Sequence, residues 1–215
     1  MRLSIAYSKE KDIENFLKGQ GAIDRPKPTV VEGEFNERFD EFNETNLAVF
    51  IEDYTKEEGY SAVGVIEKFK TQWSEVEGEY IKRCEDLFKE KLSLKEMTAY
   101  ITLNNRCTYN IEGGYFFLSI RAQSAVGTIM HELFHFYTLK AFWETSQEVG
   151  LTDLQLNDIK ESLTVMLNIE FKDLMGDSVD VGYPQHMEMR EQILKLREQH
   201  LSVQEIFTKL ASDIK

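Results

Sequence analysis

The sequence predicts an α+β fold: a mainly helical N-terminal half, a small β-sheet, and two consecutive helices that carry polar chemistry. Three observations support this. Apolar residues recur at alternating steps of three and four over residues 60–89, the spacing of one face of a helix. At residue 97 the composition turns to β-branched and aromatic residues, which suit strands. Directly after them comes an apolar stretch, 125–142, whose only charged residues besides Lys140 and a glutamate are two histidines.

Taken in order, "RLSIAY" (2–7) alternates as a short strand and "KEKDIENFLK" continues as a helix. Residues 20–33, with Gly21, Pro26, Pro28 and Gly33, read as a loop. The stretch 34–54 reads as helical, with Phe35, Phe39 and Phe42 on one face. A long helix is expected from Tyr60 to Lys89, its stripe of Ile66, Phe69, Trp73, Val76, Tyr80, Cys84 and Leu87 serving core packing.

"MTAYITLNN" (97–105) and "GYFFLSI" (114–120) form two adjacent strands, with Gly113 and Gly114 marking the turn before the second. A helix follows from Ala125, a third element of that kind covers 153–174, and a loop, "MGDSVDVGYPQH" (175–186), leads into amphipathic C-terminal helices from Met187. The expected organisation is a helical region, 1–96, and a second region, 97–215, joined in one compact unit.

Composition narrows the function. The 215 residues suffice for a substantial core. A net charge of −13 argues against a nucleic-acid backbone or an anionic membrane as partner. Cys84 and Cys107 match no metal or redox spacing. They suit reduced thiols in the cytoplasm, as does an N-terminus without the features of a secretion signal. No apolar run reaches the length of a membrane span. Nothing in the sequence indicates an oligomeric state.

The chemistry concentrates in "TIMHELFHFYT" (128–138). Its surroundings (Val126, Ile129, Met130, Leu133, Phe134, Phe136, Tyr137, Leu139) are apolar on nearly every side, so the helix is expected to be buried. Buried polar groups need partners. His131 and His135 lie one turn apart on one face, where both imidazoles can reach a single ion, and "HELFH" fits H-E-x-x-H. Zinc (Zn2+) suits neutral imidazole ligands. Glu132 is one step along, placed to take a proton from a metal-activated water. Small neighbours on the histidine face, Ser124, Gly127 and Thr128, allow close approach.

Two histidines require a third protein ligand. No histidine follows at the metzincin spacing, and His186 and His200 are distant. Glu161 is the best candidate: it lies 26 residues after His135, room for a turn and an antiparallel helix, within an otherwise regular apolar segment. Asp158, one turn earlier, is the alternative.

This arrangement of a strand pair, an H-E-x-x-H helix and a glutamate on the next helix resembles the gluzincin clan of zinc metallopeptidases, the thermolysin-like enzymes. The resemblance covers roughly residues 97–190 and is strongest over 126–137 and 158–168. It implies that His131, His135 and Glu161 bind zinc, that Glu132 is the catalytic base, and that "YFFLSI" is an edge strand along which an extended peptide lies. It also implies an oxyanion donor beyond the third ligand, for which "GYPQH" offers Tyr183 and His186 in a loop stiffened by Pro184. The chain departs from the clan in being short, in lacking the glycine-rich exopeptidase motif of the clan's aminopeptidases, and at one ligand-orienting position. Where thermolysin-like enzymes carry an aspartate that orients a ligating histidine, four positions after the glutamate, Val165 stands here. Asn168 or Asp158 would have to replace it.

The function expected is zinc-dependent hydrolysis of peptide bonds in a peptide or protein substrate by a metal-activated water. One alternative is a regulatory protease that cuts a single partner such as a repressor. A second is a zinc-binding structural or interaction module without turnover, which would have no use for a base at Glu132. A third is a metal-free helical protein in which the histidines pair with carboxylates.

Overall fold

The computed structural model describes residues 1–19 and 28–214. The order of elements is β1 (Arg2–Ala6), α1 (Lys9–Gly19), α2 (Val30–Arg38), α3 (Glu44–Glu57), α4 (Ala62–Ser74), α5 (Glu77–Phe88), β2 (Glu96–Thr102), β3 (Tyr109–Asn110), β4 (Tyr115–Ser119), α6 (Ala125–Glu148) and α7 (Asp153–Leu163). A tight 3-10 turn at Thr164–Met166 leads to the short α8 (Leu167–Glu170) and α9 (Lys172–Met175). A second such turn, Pro184–His186, opens α10 (Met187–Glu198), and α11 (Val203–Asp213) follows. The class is α+β, as the sequence predicts.

Several boundaries differ from the sequence reading. Of the expected loop at 20–33, residues 20–27 lie outside the described residues, and α2 already begins at Val30. Thr29 caps it: its hydroxyl accepts from the Glu32 amide at 3.1 Å while Glu32 Oε2 accepts from the Thr29 amide at 2.7 Å. The helix expected over 34–54 is interrupted between Arg38 and Glu44, where Asn43 accepts from the Asn46 amide at 2.9 Å and starts α3. The long helix expected over 60–89 breaks between Ser74 and Glu77. No side-chain cap marks that break, so the apolar periodicity runs across it without a signal. The helix expected over 153–174 ends as α7 at Leu163 and continues only as short turns.

The chain divides into two compact units: Met1–Trp73 with Leu94–Ala125, and Ser74–Ser93 with Val126–Lys215. The strands after residue 96 therefore belong with the N-terminal helices, and residues 74–93 belong with the C-terminal helices.

In the first unit the sheet order is β1-β2-β4-β3. β1 pairs parallel with β2 (Leu3 opposite Met97, Ile5 opposite Ala99), and β2 pairs parallel with β4 (Ala99 opposite Phe116, Ile101 opposite Leu118). The two strands read as adjacent from sequence are thus parallel neighbours, and β3 lies in the connection between them, antiparallel to β4. The edges are β1 and β3. "YFFLSI" is not the edge strand that the resemblance implies. β3 flanks β4 only at Tyr115 and Phe116 (Asn110 opposite Tyr115, Tyr109 opposite Phe116), and β4 is buried along its length, as strands of a mostly parallel sheet are. Phe16, Val31, Phe35, Leu47, Phe50, Ile51, Tyr54 and Leu103 form a core cluster of this unit.

In the second unit α6 is the central helix. Ile129, Met130, Leu133, Phe134, Phe136 and Tyr137 are buried, which bears out a helix apolar all round. α5 packs on it through Phe88, whose ring centroid is 4.9 Å from Phe134 and 5.9 Å from Tyr137. Tyr80 Oη donates to the Met130 carbonyl at 2.6 Å. Phe142 stacks on Phe207 of α11 at 4.1 Å. These contacts fix the turn of α6 that carries the histidines. Among the described residues, no helix is long and apolar enough to cross a membrane.

Candidate metal centre

All the residues of the candidate site belong to the second unit. α6 presents His131 and His135 one turn apart, their ring centroids 4.4 Å from each other. α7 brings Glu161 to the same place. It starts at a capping box, in which the Thr152 hydroxyl accepts from the Gln155 amide at 3.3 Å and Gln155 Oε1 accepts from the Thr152 amide at 2.9 Å. Leu156, Ile159 and Leu163 are buried.

Glu161 Oε1 lies 3.4 Å from His135 Nε2, and Oε2 lies 3.7 Å from His131 Nε2. The three residues offer ligand atoms that all lie within 4.8 Å of one another. A tetrahedral ion with bonds of about 2.0–2.1 Å needs its donors roughly 3.3 Å apart; the two glutamate–histidine separations, 3.4 and 3.7 Å, approach that spacing. Asp158, the alternative third ligand, is turned elsewhere: its Oδ1 is 3.1 Å from His186 Nε2.

The histidines are prepared differently. Burial holds the His135 imidazole well below its ordinary pKa, with the Lys160 ammonium and His131 acting in the same direction, so it is a neutral donor. At His131 burial also disfavours the charged form, but Asp180, Glu132 and Glu161 outweigh it and the net shift is upward. His131 Nδ1 is 2.6 Å from Asp180 Oδ2. With the proton on Nδ1, Nε2 is left to face Glu161 and His135.

Asp180 is itself held on every side. Asn168 donates through Nδ2 to the Asp180 carbonyl and accepts from the Asp180 amide, both at 2.8 Å. Arg190 Nη2 lies 2.9 Å from Asp180 Oδ1 and donates to the Asp180 carbonyl at 2.6 Å, while Nη1 donates to the Thr164 hydroxyl at 2.8 Å. Thr164 Oγ1 is 2.9 Å from Asp180 Oδ1. Burial would raise the Asp180 carboxyl, but His131, Arg190 and Thr164 bring it below the usual carboxylate range. The loop reaches this position through Gly182, whose φ is +63° and where a Cβ would stand 2.7 Å from Arg190 Cζ. Any side chain there would be strained and would have to displace Arg190.

Sequence reasoning thus placed Asn168 near the right spot but missed Asp180, which bonds the histidine directly. Its only signal was a lone carboxylate between Val179 and Val181 in a loop. Val165, at the position of the clan's aspartate, is buried in the 3-10 turn. Lys160 was also missed. It is 2% exposed, and its Nζ donates to Glu161 Oε1 at 2.9 Å.

Glu132 is buried on α6 beside His131. The two residues expected to stabilise an oxyanion pack against each other, Tyr183 and His186 having ring centroids 5.8 Å apart. His186 is buried, with Nε2 on Asp158, one turn before Glu161 on α7. Its Nδ1 has no partner among the described residues. The side chains of His131 and Glu161 retain 22% and 12% of their exposure, which leaves the cluster open on one side. No protein-family model matches the chain, and neither a curated protein nor a solved structure matches it.

Proposed function

We propose that the protein is a zinc-dependent peptidase of gluzincin type that hydrolyses peptide bonds in a peptide or protein substrate. One observation carries this reading: an H-E-x-x-H helix and a glutamate from the next helix converge with Glu161 oxygens 3.4 and 3.7 Å from the two Nε2 atoms. Two imidazole nitrogens and one carboxylate oxygen are a zinc donor set that keeps a position open for chemistry. Zinc bound there would supply Lewis acidity, lowering the pKa of a water and polarising the scissile carbonyl.

The chain supplies the remaining parts. His131, His135 and Glu161 hold the ion, and Asp180 keeps His131 in the ligating tautomer. Glu132 takes the proton from the attacking water and passes it to the departing amine. His186 or Tyr183 donates to the oxyanion. A purely structural site would need no base, and Glu132 favours turnover.

A peptide is favoured as substrate by the segment around Asp180. Asp180 points its amide and carbonyl to one side, where Asn168 takes both. Val179 and Val181 alternate outward, 65% and 76% exposed. Their backbone N–H and C=O groups make no hydrogen bond among the described residues. Such an open edge can pair with an extended chain. The net charge of −13 disfavours nucleic acid as partner. A cytoplasmic setting is part of this proposal and agrees with Cys84, a buried thiol.

The test is hydrolysis of reduced, carboxymethylated casein by metal-free and zinc-loaded protein. The loaded parent should bind about one zinc per chain and cleave. Glu132→Gln should keep the zinc and lose cleavage by several orders of magnitude. A loaded parent that leaves casein intact, or a Glu132→Gln protein as fast as the parent, would overturn the proposal.

A further inference from the structure

Lys160 poses a physical problem at this centre. Burying an ammonium is costly even when it is paired, and this one is 2% exposed, in contact with a carboxylate that would hold a dication. Adjacent residues of a helix do not face each other, so the Lys160 side chain has to double back for its Nζ to reach Glu161 Oε1 at 2.9 Å. Its charge opposes metal binding by simple repulsion. Its geometry offers something in return: the ammonium engages Glu161 Oε1, which also lies 3.4 Å from His135 Nε2, while the other oxygen, Oε2, faces His131 Nε2 at 3.7 Å.

We propose that Lys160 is a positioning residue that engages one oxygen of Glu161, so that this carboxylate binds a metal ion through a single oxygen and a coordination position stays open. The inference rests on reading the cluster as a metal site. A free carboxylate beside a metal ion can chelate it through both oxygens and fill the place that a water or a substrate carbonyl requires. Ligating carboxylates are commonly steadied by a hydrogen bond to the oxygen that does not bind. An ammonium does this firmly, because its bond to a carboxylate is charge-assisted. The site gives up some metal affinity and keeps its open position.

The test uses cobalt(II) in place of zinc, because the intensity of its visible d–d bands reports coordination number without any substrate. The parent should show the intense bands of a four-coordinate ion. In Lys160→Met, which fills the buried space without a donor, the bands should weaken severalfold as the freed carboxylate chelates. Lys160→Gln keeps a donor for Oε1 without the charge, and should retain the parent's intensity. A Lys160→Met spectrum equal to that of the parent would overturn the proposal. X-ray absorption on the zinc-loaded parent decides the matter without any variant: a five-coordinate ion with both Glu161 oxygens bound overturns it, and a four-coordinate ion with one bound supports it. A parent that takes up neither metal removes the metal reading itself, and this inference with it. Casein cleavage is scored separately, so loss of the peptidase reading alone leaves the coordination result standing.

Discussion

His131 Nδ1 and Asp180 Oδ2 stand 2.6 Å apart, although 49 positions separate them in the chain. A carboxylate on the far nitrogen of a histidine fixes both its tautomer and its ring orientation. Here that carboxylate rides on a loop, and its precision comes from Asn168, Thr164 and Arg190, which grip its backbone and side chain together.

Replacing Asp180 with Asn should therefore lower zinc affinity by about ten- to a hundred-fold, the usual worth of such a partner. Competition against a chromophoric chelator measures this directly. An affinity equal to that of the parent would mean that the bond does not prepare the ligand.

The oxyanion donor is read from kcat. His186→Ala should reduce kcat on casein by roughly a hundred- to a thousand-fold, with zinc content and KM nearly intact, as for a contact made only in the transition state. Tyr183→Phe provides the comparison. If both variants keep kcat within a few-fold of the parent, the donor lies elsewhere.

Substrate pairing at Val181 is tested by Val181→Pro. Proline removes one backbone donor and favours an extended residue before it. KM for casein should rise by about five-fold, the value of one hydrogen bond of ~1 kcal/mol, while zinc affinity is unchanged. An unaltered KM would exclude this edge from substrate binding.

A pH dependence of stability is expected from the first unit. Asp12 is buried, and its carboxylate accepts from the Thr102 hydroxyl at 2.6 Å and from the Leu103 amide at 3.2 Å. Burial pushes its carboxyl up to about 7 against the pull of those bonds. The unfolded chain releases the same proton near pH ~3.9. Between these values the folded state holds more protons, so this group's contribution to stability is full below about pH 4 and declines as pH rises towards 7. Asp12→Asn mimics the neutral carboxyl and should flatten that decline. Urea unfolding of parent and variant at pH 4.5 and 7.5 shows it; parallel pH profiles would count against a protonated Asp12.

What the sequence determined by itself is local. His131, Glu132 and His135 occupy their places because a helix of 3.6 residues per turn puts i and i+4 on one face, and the apolar run around them dictates burial of that helix. β1 and α1 follow from alternation and amphipathicity in the same way, and Glu161 was legible because a polar residue stood within a regular apolar segment. Periodicity along the chain is blind to contacts between distant segments. It could not show that β2 and β4 run parallel, with β3 in the connection between them, or that the stripe over 60–89 is broken after Ser74, since an apolar spacing survives such a break. Nor could it bring Asp180 to His131 or bury Lys160 against Glu161. Those arrangements were decided only by tertiary packing, because they depend on Gly182 letting the loop pass over Arg190 and on α7 docking beside α10, and no local preference of residues 160 or 180 encodes either event.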